Sequence, residues 1–415
     1  MAPAKDRPDP WLDRRRLTLL AVAAISGLVI GFAIAVLAAV LSGDGLQTFG
    51  GTLGSDYAGF YAGAKLFLQG RGAEIYDWDA IRALQAPYLS GRLATVGGAP
   101  GLLPFPYPPF VAVLYAPLAM LPFTAGYVAC VMVMAGMLVA AVGLMMPLVP
   151  RLGDYQVALF AGLLAFYPVL LSVFGAQNTV LTLLLVVAAW RALDSGADIV
   201  AGVFLGLMLF KPQYGLTFLG LAVIGHRPRV LIGAVPVAIG LYLVSAAVMD
   251  WGWGWPADWA RHATVMHAAA LTTQATNSVG MVGFFGALLG PGSTLAQILG
   301  WGLTAGLGLG LVWLWRWGGG GLAERMTITA AGAALLSPNT NFYDAGLAVL
   351  VVPVLLNVAG PRAFAPLLAL FVLGWTEPLS GILGVNPLFG FLLMAGGLVI
   401  WLGRTGTPEM LDTRQ

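Results

Sequence analysis

The side chains in this sequence that could do chemistry are few and lie far apart. Asp56 heads the stretch SDYAGFYAGAKLFLQG, just beyond a long apolar segment from Leu17 to Leu41. A carboxylate there could act as a general base, taking a proton from a hydroxyl as it attacks, and partial dehydration would raise its pKa toward neutrality. It could equally cap a helix beginning at Tyr57, since Asp is a favoured N-cap. Lys211 stands between LGLMLF and PQYGLTFLGL, a costly place in lipid unless it faces a polar cavity or a counter-charge. At the tip of a split helix its ammonium could neutralise a phosphate; otherwise it snorkels to the headgroups. Gln213 adds a second polar group beside it. Gln177 and Asn178, in FGAQN, could hydrogen-bond sugar hydroxyls or satisfy backbone groups at a helix junction. Arg261 and His262 follow a run of four tryptophans (251, 253, 255 and 259) in the loop 250–277, which also holds His267. They could grip a phosphate next to an apolar chain, although such tryptophans are first of all an interfacial aromatic belt.

Other chemistries find no support. Glu74, Asp77 and Asp79 read as loop solvation and capping. No His, Cys or carboxylate set has metal-ligand spacing, and no nucleophile elbow is present. The one cysteine, Cys130, lies in an apolar run, which rules out an internal disulfide. No cluster of Lys and Arg with interleaved aromatics points to nucleic acid.

The elements that must position these groups are membrane helices. Only 9% of the 415 residues are charged and 59% are hydrophobic, with a mean hydropathy of +0.87. Many apolar runs have roughly the 15–25 residues needed to cross a bilayer as helix. Helices are expected because lipid offers no partner to unpaired backbone groups, and the alternating ten-residue strands of a membrane barrel are absent. The predicted class is all-α and polytopic, with about twelve crossings near 17–41, 124–146, 156–173, 178–192, 199–210, 213–225, 230–249, 294–315, 326–337, 342–358, 363–377 and 386–403. The run 107–122, interrupted by Pro117, reads as a partly inserted helix, and 278–290 is too short to cross comfortably. The segment 57–70 carries Tyr57, Phe60, Tyr61, Ala64, Phe67 and Leu68 on one face, which suits either a helix lying along the outer leaflet or one packed on the rest of its loop.

Charge sets the orientation. The basic N-terminus MAPAKDRPDPWLDRRR precedes an apolar segment too long for a signal peptide, so it reads as an uncleaved anchor with a cytoplasmic start. With twelve crossings and both ends inside, most Lys and Arg residues become cytoplasmic, as the positive-inside rule asks. That arrangement puts Asp56, FGAQN, Lys211, the tryptophan-rich loop and SPNTNFYD (337–344) on the outer face together. The organisation that follows is a cytoplasmic tail (1–16), a catalytic membrane module (17–277) with an outer loop at 42–123, C-terminal transmembrane helices (278–403) and a second tail (404–415).

The ordered set SDYAGFYAGAKLFLQG, AEIYD, FPYPPFVAVLYAPLAMLP, FGAQNTVLTLLL, AGVFLGLMLFKPQYG and SPNTNFYDAG resembles glycosyltransferase family 87, polytopic GT-C enzymes similar to polyprenol-phosphate-mannose-dependent mannosyltransferases. The resemblance runs over roughly residues 50 to 350. It implies a polyprenyl-phosphate hexose donor, most often mannose, a lipid or glycan acceptor, and inverting transfer at the outer surface of the plasma membrane. It also implies that Asp56 is the base, and it places Lys211, Gln213, Gln177 and Asn178 at family motif positions. Many relatives carry histidine where this chain has Asn339, so a donor-phosphate role at that point passes to Arg261 or His262. A monophosphate leaving group needs less charge neutralisation than a diphosphate, so fixed cations could suffice and no obligatory metal or other cofactor is expected. A lipid-linked-sugar flippase or a non-catalytic envelope-assembly protein are the alternative classes; the one-sided gathering of polar residues, with no internal repeat, favours the enzyme.

Overall fold

The computed structural model describes residues 13–42, 47–48, 51–52, 55–88, 103–273, 275–338 and 340–405. Apart from a two-residue hairpin (β1, Gln47–Thr48; β2, Gly51–Thr52) and an isolated bridge between Ser278 and Asn341, the regular structure there is helical. The chain is an all-α, polytopic membrane protein, as its hydropathy requires.

The number of self-sufficient crossings is smaller than the twelve expected. Five helical stretches are long and apolar enough to span: Arg14–Leu41, Phe123–Leu148, Val230–Val248, Thr294–Arg316 and Phe342–Gly374. A sixth arises if Pro150–Ala165 and Tyr167–Phe174, bent by 81° at their junction, count as one span. The expected crossings 342–358 and 363–377 run together in a single stretch of 33 residues. Others are real helices of insufficient length for a ~30 Å core. Hydropathy marks apolar runs, but it does not measure how far a helix continues before Pro or Gly stops it.

The segments up to Lys211 build most of the site, and the stretch beginning at Phe342 completes it. Helix α1 (Arg14–Ser42) leads to α2 (Ser55–Leu68), α3 (Trp78–Gln85) and the short α4 (Phe110–Ala119). Helix α2 does not lie on a leaflet. Tyr57, Phe60, Tyr61, Ala64 and Leu66 are all buried, and Gly63 lets the Phe105 ring approach so closely that a Cβ would sit 2.6 Å from it. The alternative of a helix packed within its own loop is the one found. Helix α5 (Phe123–Met145) crosses, and α6 (Gln156–Ala165) and α7 (Tyr167–Phe174) carry the chain back to the turn before α8 (Thr179–Asp194).

Helices α9 (Asp198–Leu207) and α10 (Pro212–Ile224) form a hairpin with Lys211 at its tip. A 3₁₀ turn at Met208–Phe210 ends the first arm, Lys211 is non-helical (φ −125°, ψ 80°), and Pro212 opens the second arm, a position where its missing N–H costs nothing. The opposite end is clamped: Arg227 Nη1, just past α10, donates to Asp198 Oδ1 at 2.8 Å and to the Leu193 carbonyl at 3.3 Å. Helix α11 (Val230–Val248) packs tightly on α9 through glycine. A Cβ on Gly202 would meet the Val230 carbonyl at 1.9 Å, and one on Gly233 the Ile199 carbonyl at 2.0 Å. Such close backbone approach is the usual use of small residues between membrane helices.

The tryptophan-rich loop becomes α12 (Trp255–Thr273). Trp251 and Trp253 are exposed, as a belt requires, while Trp255 is buried and Trp259 Nε1 donates to the Pro106 carbonyl at 3.0 Å. Helices α13 (Met281–Leu289), too short to cross, α14 (Thr294–Arg316) and α15 (Leu322–Leu336) precede a 3₁₀ stretch at Phe342–Leu350. Helices α16 (Val351–Ala359), α17 (Phe364–Gly374), α18 (Ser380–Leu383) and α19 (Leu388–Thr405) complete the chain.

Candidate active site

Five separate segments meet in one buried polar cluster. Asp56 is the second residue of α2, inside the helix rather than at its cap, where the helix dipole favours a carboxylate. Burial nevertheless dominates and lifts its pKa from the ordinary 3.8 to about 6, against a hydrogen bond from Gln177 and the charge of Lys211, which both pull downward. A residue that needs to exchange a proton near neutrality gains from such a value.

Gln177 and Asn178 are presented by the turn between α7 and α8. Ala176, fully buried, takes a left-handed conformation (φ 58°), which is uncommon for a side chain with a Cβ and clusters at functional sites. Ser172 braces the turn: its hydroxyl donates to the Gln177 carbonyl at 3.0 Å, and its own carbonyl accepts the Gln177 N–H at 2.8 Å. The Tyr107 hydroxyl lies 3.4 Å from Gln177 Oε1 and 3.3 Å from Asn178 Oδ1. One O–H serves one acceptor at a time. Asn178 is 1% exposed, and its Nδ2 donor has no protein partner. Buried donors are rarely left so without a ligand or water to receive them.

Lys211 does not snorkel. Its Nζ reaches Asp344 Oδ1 at 2.6 Å, with the two side chains 5% and 4% exposed. Thr179 Oγ1 donates to the same oxygen at 3.0 Å. The ammonium also lies over the rings of Tyr214 (5.8 Å) and Tyr343 (5.6 Å), a favourable placement for a cation out of water. Asn341 Nδ2 fixes the Tyr343 hydroxyl at 2.9 Å.

Asp56, Gln177, Asn178 and Lys211 are therefore brought together. Gln213 sits half-buried in the first turn of α10, with its carbonyl accepting from Thr217. Arg261 and His262 face a different cleft, on α12: Arg261 is exposed and paired with Asp258, and His262 is buried against Tyr76 and Trp78. Asn339 lies outside the described residues. Sequence reasoning missed Asp344 and Tyr107 as members of the pocket. The demand of an intramembrane lysine for a counter-charge was a usable signal for Asp344; nothing comparable marked Tyr107.

This polytopic helical membrane protein gathers a buried carboxylate, a buried ammonium and two carboxamides in one cluster. The model of Glycosyltransferase family 87 matches residues 105–338, more than half of the chain. The chain belongs to glycosyltransferase family 87. The matched segment contains Tyr107, Gln177, Asn178 and Lys211, whereas Asp56 and Asp344 flank it. No curated protein and no solved structure matches the chain.

Proposed function

We propose that this glycosyltransferase moves a hexose, mannose by resemblance, from a polyprenyl-phosphate donor to a hydroxyl of a lipid or glycan acceptor at the outer face of the plasma membrane. The observation that carries this reading is a buried Asp56 that takes a hydrogen bond from Gln177 and lies within reach of the Lys211 charge. Asp56 takes the proton of the acceptor hydroxyl as its oxygen bonds to the anomeric carbon. The bond from that carbon to the phosphate oxygen breaks, its electron pair leaves with polyprenyl phosphate, and Lys211 stabilises the departing charge. Displacement on one face inverts the anomeric configuration. Gln177 orients the carboxylate, and the free Nδ2 of Asn178 is available to a sugar hydroxyl.

A flippase would need a polar path from one surface to the other, whereas the site residues described here gather in one pocket. The deciding experiment incubates purified protein with a panel of polyprenyl-phosphate hexoses and a membrane lipid extract. Release of polyprenyl phosphate together with a glycosylated lipid is expected. If no member of the panel yields polyprenyl phosphate, the donor class is wrong.

A further inference from the structure

A second cleft, of about 450 Å³, opens between residues 73–78 and α12, a volume within the range of small-ligand sites. Its wall is aromatic. The Tyr76 ring lies 4.9 Å from the His262 imidazole, and Trp78 meets the same imidazole edge-on at 6.3 Å. Asp77, Asp258 and Arg261 line the polar part, and Val265 stands exposed beside them.

The electrostatics of this cleft are wrong for a phosphate. Trp78 Nε1 donates to His262 Nδ1 at 3.3 Å, which leaves the imidazole proton on Nε2 and selects the neutral tautomer. Burial pushes the His262 pKa down to about 4, only partly opposed by the Phe105 backbone, so the ring carries no charge near neutral pH. Arg261 is already paired with Asp258, and the cleft holds two carboxylates to one guanidinium. What it offers is an aromatic wall edged by the Asp77 carboxylate and the Asp258–Arg261 pair. A pyranose presents the matching features, with C–H groups on one face and hydroxyls around its rim.

The cleft is also wired to the pocket. Tyr76 donates its hydroxyl to the Tyr107 carbonyl at 2.9 Å, and Trp259 holds the adjoining Pro106 carbonyl. Tyr107 in turn reaches Gln177 and Asn178. We propose that this cleft is a carbohydrate subsite, taking a neutral glycan portion of the acceptor while the acceptor hydroxyl reaches Asp56. The role in acceptor selection rests on the transferase reading above; the binding of neutral glycoside does not.

The test uses the full chain in phosphatidylcholine nanodiscs, free of glycoside detergent, with saturation-transfer NMR. The probes are methyl glycosides of neutral hexoses and hexose disaccharides, with hexose 6-phosphates alongside. Neutral glycosides should receive saturation, most strongly the disaccharides, and the phosphates should not. Val265→Trp, at a position already 54% exposed, fills the mouth and should abolish the signal, while Val265→Ser leaves the mouth open and should retain it. No transfer to any neutral glycoside, a signal indifferent to Val265→Trp, or a preference for the phosphates overturns the proposal. Polyprenyl phosphate release is followed in parallel. Glycoside binding without turnover sinks the transferase reading alone, and turnover without glycoside binding sinks the cleft alone.

Discussion

Lys211 Nζ sits 2.6 Å from Asp344 Oδ1, both side chains almost wholly buried. Pairing explains how an ammonium persists at the tip of an apolar hairpin, and it also fixes what removal of that charge must do. A buried pair broken on one side leaves the other charge uncompensated, at a cost of about 3–5 kcal/mol.

Lys211→Met should therefore lower the thermal midpoint of the purified protein, and Lys211→Met combined with Asp344→Asn should recover most of the loss. Donor affinity should behave differently. Loss of a charge-assisted bond to the phosphate, worth about 1.5–3 kcal/mol, weakens it roughly 10–150-fold in both proteins. Melting curves and binding of a polyprenyl-phosphate hexose separate the two effects. A single variant with wild-type stability and wild-type affinity would remove Lys211 from the site and the pair from the stability argument.

Asp56→Asn keeps the size of the side chain and discards its basicity. Turnover should fall by about 10²–10⁴, the usual share of general-base catalysis, with donor binding nearly unchanged. Wild-type turnover in the asparagine protein would reduce Asp56 to a structural residue of the first turn of α2.

The same carboxylate sets a pH dependence. With its pKa raised from 3.8 to about 6 by burial, the folded chain keeps a proton that the unfolded chain has already lost between those values. Its contribution to stability is thus complete below about pH 4 and is lost as pH rises through about 6. Asp56→Asn lacks this loss, so its melting advantage over wild type should widen from pH 4 to pH 7. Turnover of wild type should rise over the same window, because only the carboxylate is a base. Gln177→Leu removes a hydrogen bond that holds the value down, and the midpoint of its pH–rate curve should move upward. A midpoint that stays in place would show that Gln177 does not bond the reacting carboxylate.

Orientation can be read with cysteines, since the native Cys130 is fully buried and gives no background. Asp79→Cys should label with an impermeant thiol reagent in intact cells, and Arg229→Cys only after permeabilisation. The reverse pattern would turn the site toward the cytoplasm.

Much of this architecture could be read from residue order. The helices fall close to the apolar runs, and Lys211–Pro212 announced the break between α9 and α10, since a cation and a proline together cannot continue a membrane helix. What escaped was whatever depends on contacts between distant segments. Hydropathy treats Tyr57, Phe60 and Tyr61 as equally suited to lipid and to protein, and it is the Phe105 ring against Gly63 that decides for protein. Asp344 looked like one more polar residue of SPNTNFYD until Lys211 stood beside it. Arg261 and His262 looked cationic side by side, but Asp258 occupies the first and burial discharges the second.

The Lys211–Asp344 pair joins residues 133 positions apart, and the ribosome delivers the lysine first. At ordinary elongation rates roughly 7–27 s separate the two. During that interval the α9–α10 hairpin, whose arms are each too short to be a stable span, must be harboured with an ammonium whose bonded carboxylate, Asp344, has not yet been made. The pocket can close only when the stretch beginning at Phe342 arrives. A chain interrupted before that point would carry Lys211 without its bonded carboxylate, which makes the arrival of the stretch from Phe342 a checkpoint for the maturation of the helices before it.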